Sequence, residues 1–279
     1  MSYKIVVDSC GELTEEMKKD GHFASVSLEL DVDDYHVIDD ESFNQAEFIE
    51  KVRLSKNCPK SSCPSPQKYV EAFKGEAKDI YIVTLSAELS GSYNSAVLAR
   101  NLYMEEHGDK NIYIFNSRSA SIGETLIAIH VQELAEQGLS FDEVVKQTEE
   151  YIANQNIYFI LETLETLRKN GRLSNLKAWV ATALNIKPVM GATPEGTICQ
   201  IGQARGMGKA LDHMVAQMLK NVKDSGKKIL AISHCNCPER AELLKEKIEK
   251  QASFRKIIIL DTAGVSTMYA NDGGVIMSV

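Results

Sequence analysis

No stretch of about 18 apolar residues occurs in the 279-residue chain, which excludes a membrane-spanning helix. Positive charge is not in excess either: Lys and Arg total 31 against 39 Asp and Glu, a net charge of −8. That balance argues against a general binder of nucleic acid or of anionic membranes, although it leaves room for a local basic patch. No secretory signal is expected, because Asp8 cuts the first apolar stretch after about four residues. Six cysteines, at positions 10, 58, 63, 199, 235 and 237, are too scattered for a disulfide-stapled secreted domain. The expected setting is cytoplasmic, with reduced thiols. There is no internal repeat, low-complexity tract or long linker. No G-x-S-x-G elbow, Walker loop or G-x-G-x-x-G is present, and Gly202-x-x-x-Gly206-x-Gly208 lacks the lysine–hydroxyl pair of a phosphate loop. Nothing amounts to a complete catalytic apparatus.

What is there reads as globular: 44% hydrophobic and 25% charged residues. At about 100–200 residues per domain, the length favours two domains. The apolar runs Ile5-Val6-Val7, Ile80–Val83 and Ile112–Phe115 each lead into a turn rich in hydroxyls or Gly, the last two into helical patterns as well. Continuous apolar strands alternating with helices indicate a parallel sheet covered on both faces, a three-layer α/β/α first half. Beyond an amphipathic helix at 141–152 the pattern changes. Strands are expected at 157–160, 186–190, 197–203, 229–232, 257–260 and 275–279, and short helices around Leu164 and Trp179. Thr193-Pro194-Glu195-Gly196 is a hairpin turn signal, and a long helix follows with Leu211, Met214, Val215 and Met218 on one face. The second half is therefore expected to be two-layer, a mixed sheet with helices on one side. The boundary is placed at 153, giving units 1–153 and 154–279.

The hydroxyl-rich turns are the main chemical signal. In open α/β sheets ligands bind beyond the carboxyl ends of the strands, where helix N-termini offer free N–H groups. Leu89-Ser90-Gly91-Ser92-Tyr93-Asn94-Ser95 starts a helix in a way that could hold an anion; equally, Ser90 could simply cap that helix. Ser117, Ser119 and Ser121 form a similar turn after the third strand. Pro59-Lys60-Ser61-Ser62-Cys63-Pro64-Ser65-Pro66 is an extended loop in which no helix can start before Pro66. His234-Cys235-Asn236-Cys237 lacks a second ligand pair at zinc spacing, so no metal is expected. His130 falls on an apolar helix stripe, as a core histidine does.

Taken together, these segments resemble the DegV family of bacterial fatty-acid-binding proteins. Val6-Val7-Asp8-Ser9 is similar to its V-x-D-S element. Ser61-Ser62-Cys63-Pro64-Ser65 resembles its T-S-Q-P-S loop, with Ser for Thr and Cys for Gln. Leu89 to Ala96 resembles L-S-G-T-Y-N-S-A. The most specific stretch runs from Leu164 to Ser174, resembling L-x-x-L-x-x-x-G-R-[LI]-S, followed by Leu184-Asn185-Ile186-Lys187-Pro188. The resemblance covers essentially the whole chain, in order.

It implies a DegV-like fold in which one long-chain fatty acid lies between two domains and is presented to a separate fatty acid kinase, which makes an acyl-phosphate. The chain would be a substrate carrier for lipid synthesis, not an enzyme by itself, and would need no cofactor beyond its ligand. Carried over, the carboxylate contacts fall on Ser61 or Ser62 and on Ser90, with Gly91 and Ser92 as further donors. Members often end with H-T-G-P-G, whose His also reaches the carboxylate; here Tyr269-Ala270-Asn271-Asp272-Gly273-Gly274 stands in that region, and Tyr269 is the candidate replacement. Arg168 and Arg172, beside Lys169, make a positive patch on an acidic chain, and Arg205 resembles a family arginine; these three are the candidate partner contacts. The main alternative is a substrate-binding subunit for a small ketone, resembling dihydroxyacetone kinases, against which the missing His counts. A structural or regulatory domain is the third reading.

Overall fold

The computed structural model describes residues 3–173 and 185–279. The expected helix around Trp179, together with Ser174 and Leu184, lies outside the described residues. In the first half the elements are β1 (Tyr3–Asp8), α1 (Glu15–Lys19), β2 (Phe23–Val26), β3 (Glu29–Val32), β4 (Tyr35–Ile38), α2 (Gln45–Leu54), β5 (Lys60–Ser62) and α3 (Pro66–Phe73). They continue with β6 (Asp79–Thr84), α4 (Ser92–Glu106), β7 (Asn111–Asn116), α5 (Ile122–Glu136) and α6 (Phe141–Asn154). The second half holds β8 (Ile157–Ile160), α7 (Glu165–Lys169), β9 (Ile186–Ala192), β10 (Ile198–Arg205) and α8 (Met207–Asn221). It ends with β11 (Ile229–His234), α9 (Pro238–Glu249), β12 (Lys256–Asp261), α10 (Gly264–Ala270) and β13 (Val275–Ser278).

The apolar runs form a parallel sheet in the order β2-β1-β6-β7. Alternation along each strand sends side chains to opposite faces, and both faces are buried. Ile5, Val7, Tyr81, Val83 and Phe115 pack under α5 and α6, while Val6, Ile80, Ile82, Ile112 and Ile114 pack under α3 and α4. This is the three-layer arrangement expected. Pro66 is the first residue of α3, with Ser65 at its N-cap.

The second half builds a six-stranded mixed sheet, β10-β9-β8-β13-β11-β12, in which β11 and β12 are the parallel pair. The hairpin turn joins β9 to β10, with Gly196 at φ 94° and its N–H on the Thr193 carbonyl. Helices α8 and α9 cover one face of this sheet. The opposite face is covered as well, by α5 of the first half: Ile122 and Leu126 join Phe159, Met190, Ala231 and Ile276. Leu134, at helical spacing from Ile122 and Leu126, packs instead with the parallel sheet. A helix buried between two sheets has no single apolar stripe, and α5 buries two faces. The sequence reading passed over α1, β2, α2, the small antiparallel sheet β4-β3-β5, and α10. Among the described residues no helix is long and apolar enough to cross a membrane.

Candidate functional site

Between the two large sheets lies a cavity of about 360 Å³. Leu28, Leu85, Leu161, Ile198, Val265 and Ile276 are among its apolar walls. Among the hydroxyls that line it, those of Ser121 and Ser266 are already engaged, whereas the buried Ser119 Oγ has no hydrogen-bond partner among the described residues. Ser121 Oγ donates to Glu12 at 2.8 Å and lies 2.9 Å from Ser233 Oγ, and Ser266 Oγ donates to the Cys10 carbonyl at 3.0 Å. Hydroxyls satisfied within the protein make no demand on a ligand, and the apolar walls beside them suit hydrocarbon.

One end carries a different chemistry. Ser61 and Ser62 arrive there on β5, which is held in register by β3: Ser61 opposes Leu30 and Ser62 opposes Glu29. Ser90 and Gly91 come from the turn before α4, and Tyr269 from α10. The Tyr269 hydroxyl lies 3.2 Å from Ser61 Oγ, so β5 and α10 converge on one spot. Burial raises the Tyr269 phenol above its usual value, against a smaller opposing pull from Ser61 and Arg172; it stays a neutral donor. Gly91 is the N-cap residue of the fifteen-residue α4 and lines the cavity, so the positive end of that helix lies at this region. Ser90 Oγ accepts from the Ser92 N–H at 3.2 Å. The capping and binding readings of Ser90 are thus compatible, since a hydroxyl that accepts from the backbone still has its proton to donate.

Of the residues singled out from sequence, Ser61, Ser62, Ser90, Gly91, Tyr269 and Arg172 line this cavity. Ser92 does not. It is fully buried behind the wall, with Oγ donating to Asp8 Oδ2 at 2.5 Å and lying 2.7 Å from the Tyr69 hydroxyl. The three arginines grouped as partner contacts have three environments. Arg172 reaches the cavity, donating to the Leu89 carbonyl at 3.2 Å and to the Asn170 carbonyl, with its guanidinium 5.9 Å from the Tyr269 ring centre. Arg168 is exposed and paired with Glu165 at 2.8 Å. Arg205 is exposed at the end of β10. A guanidinium beside the hydroxyl cluster was not anticipated, because Arg172 read as part of an outward patch at a helix end.

Sequence reading also passed over a group of buried carboxyl groups behind the cavity. Asp8 and Glu124 are 0% exposed, Asp39 3% and Glu12 4%. Burial pushes all four up: Glu12 to about 7 and Asp39 to about 6, while Glu124 also feels the nearby Asp8 charge. The signal that could have found them is weak, since an acid near a helix start, as Glu124 is, ordinarily serves the helix dipole at the surface. In the H-C-N-C run, Cys235 is buried and Cys237 Sγ donates to the Gly274 carbonyl. His130 stacks on Tyr151 at 4.2 Å, and burial lowers its pKa.

The sequence model of the DegV family, described as uncharacterised protein, matches residues 2–278. The chain belongs to the DegV family. A DegV domain-containing protein of Streptococcus gordonii is 36% identical over 283 residues, covering 99% of this chain and 98% of its own. A DegV protein of Ruminococcus gnavus, solved with vaccenic acid, superposes with a TM-score of 0.97 at 55% identity, covering all of both chains. The Streptococcus pneumoniae Fatty Acid Kinase (Fak) B3 protein, loaded with linoleic acid, superposes with a TM-score of 0.90 at 34% identity over 100% of this chain and 99% of its own. A Eubacterium eligens DegV protein loaded with heptadecanoic acid is 28% identical with a TM-score of 0.89, covering 99% and 98% of the two chains. The mixed α/β architecture, with one parallel and one mixed sheet, is that of these DegV proteins.

Proposed function

We propose that the protein binds one long-chain fatty acid between its two halves, 1–153 and 154–279, and presents the carboxylate to a separate kinase. The observation that carries this reading is the polarity of the cavity: mostly apolar walls, and Ser61, Ser62, Ser90, Gly91 and Tyr269 gathered at one end with Arg172. Such a site matches an amphiphile with one small anionic head. Each buried methylene contributes ~0.8 kcal/mol, so ~14 of them give ~11 kcal/mol before association costs. Tail burial supplies the affinity, and the hydroxyls with Arg172 fix the head. The fatty acids held by the Ruminococcus, Eubacterium and pneumococcal relatives support the same ligand class, and the pneumococcal protein's name supports a kinase partner. Exposed Arg168 and Arg205 are assigned to that partner; Arg172 is assigned to the head group. No catalytic residue is assigned, since phosphoryl transfer belongs to the kinase.

The small-ketone alternative would place a His at the head of the site, and the described residues that line the cavity include none. Native mass spectrometry of protein taken from cells decides between the readings. A co-purifying C14–C20 acid is the expected result. A covalently held small ketone would favour the alternative, and an empty protein that also refuses added oleic acid would overturn fatty-acid binding. Within this reading, Ser90→Ala should weaken oleic acid binding by ~1.5–3 kcal/mol through loss of a donor to a charged oxygen. Calorimetric titration checks this, and unchanged affinity with the fold intact would leave Ser90 with the helix alone.

A further inference from the structure

Asp8 and Ser9 follow the first apolar run, and neither lines the cavity. The segments that bring the head-group hydroxyls to it, unlike the one that carries Arg172, are nevertheless registered to this pair. The turn carrying Ser90 and Gly91 is pinned at both ends by one carboxylate oxygen: Asp8 Oδ2 accepts from the Leu85 N–H at 2.9 Å and from Ser92 Oγ at 2.5 Å. Its other oxygen accepts from the Cys10 N–H at 3.1 Å. Ser9 Oγ donates to Asp39 Oδ2 at 2.9 Å, and Asp39 in turn accepts from the Gly264 and Val265 N–H groups at 2.7 and 2.9 Å. That fixes the first turn of α10, the helix that carries Tyr269. Contact there is close enough that a Cβ on Gly264 would lie 2.6 Å from Asp39 Oδ1. Ser9 Oγ also accepts from the Leu28 N–H at 3.0 Å, and β3 begins at the next residue and sets the register of Ser61 and Ser62.

We propose that Asp8 and Ser9 are positioning residues for the fatty-acid head group. They form a buried hub that holds β5, the turn before α4 and the start of α10 at fixed distances from one another. The inference rests on the reading of the cavity as a fatty-acid site. Its physical basis is convergence. Donors from three separate segments must meet at two carboxylate oxygens, and hydrogen bonds weaken steeply with small errors of distance and angle. No direct contact among β5, the turn and α10 other than that of Ser61 with Tyr269 is needed if each is registered to the same two residues. The arrangement also explains why an acid and a hydroxyl stand together at the end of a central strand: the acid accepts from two ends of one turn, and the hydroxyl both donates and accepts.

The test compares oleic acid with oleyl alcohol, which has the same tail and no carboxylate, by titration against the full chain. Ser9→Ala should lower affinity for oleic acid about tenfold, the effect of a lost head-group bond, and change that for oleyl alcohol less than threefold. Ser9→Thr, which keeps the hydroxyl, should restore the oleic acid affinity. Equal losses for both ligands, or no loss for either, would overturn the positioning role and leave fatty-acid binding standing. A wild-type protein that binds neither ligand would remove the fatty-acid reading itself. Should Ser9→Ala fail to fold, Asp39→Asn is read by the same ratio, with selective loss of oleic acid as the supporting result and equal loss as the overturning one.

Discussion

Ile276→Trp should lower fatty-acid affinity at least a hundredfold while the protein still folds. Ile276 lies on β13, an inner strand of the mixed sheet, opposite Phe159 of β8, and its side chain faces the cavity. An indole there takes space from the acyl chain without touching the hydroxyl cluster. Displacing about four methylenes costs roughly 3 kcal/mol, which corresponds to a factor of about 200 in dissociation constant. Titration with oleic acid measures the loss, and a cooperative thermal transition verifies the fold. Affinity within threefold of wild type would mean that the tail does not use this cavity, whatever holds the head.

Lowering the pH from 8 to 5 should stabilise the protein, and Glu12→Gln should remove much of that dependence. Glu12 is held at about 7 and Asp39 at about 6, both raised by burial, against about 4 when unfolded. Between those values the folded chain binds more protons than the unfolded one, so stability falls as pH rises through the window from about 4 to about 7. The sign is opposite to that of an ion-paired carboxylate. For Glu12 alone, at roughly 1.4 kcal/mol per pH unit, the cost at pH 8 is on the order of 3 kcal/mol. Glutamine keeps an acceptor for Ser121 and never ionises, so the variant should melt higher than wild type at pH 8 and near it at pH 5. Urea denaturation at the two pH values checks this. A wild-type stability that rises from pH 5 to pH 8 would show that Glu12 ionises without penalty.

How far the site could be read from residues alone depended on where each contact lies along the chain. Pro66 is compatible with the first position of a helix and disfavours helix in the residue before it, which marks the start of α3. The Pro-rich stretch around Ser61-Ser62 reads as extended for a related reason. The strand identity of β5 was not legible. It is three polar residues, and its pairing partner β3 lies some thirty residues away. Ser90 and Ser92 looked alike in the motif, yet one lines the cavity and the other bonds Asp8 behind it. Two positions apart at a helix start point to different sides, and only packing says which side holds the ligand. Arg172 looked like a surface charge because a basic residue at a helix end ordinarily is one; its turn toward Tyr269 is decided by contacts with Leu89 and Asn170.

Patterning by itself determined the α/β class, the parallel sheet of three apolar runs and the β9–β10 hairpin, and the ordered motifs pointed to the DegV family and to Ser61, Ser62, Ser90 and Tyr269. These follow from alternation, turn chemistry and short spacings, all of which act over a few neighbouring residues. Tertiary structure decided that α5 closes the second face of the mixed sheet, that Arg172 joins the hydroxyl cluster at one end of the cavity, and that Asp8, Glu12, Asp39 and Glu124 are buried together. Each of those outcomes depends on segments far apart in the chain meeting across the gap between two sheets. Burial and charge pairing at such a meeting are properties of the packed whole, and no single stretch of sequence contains them.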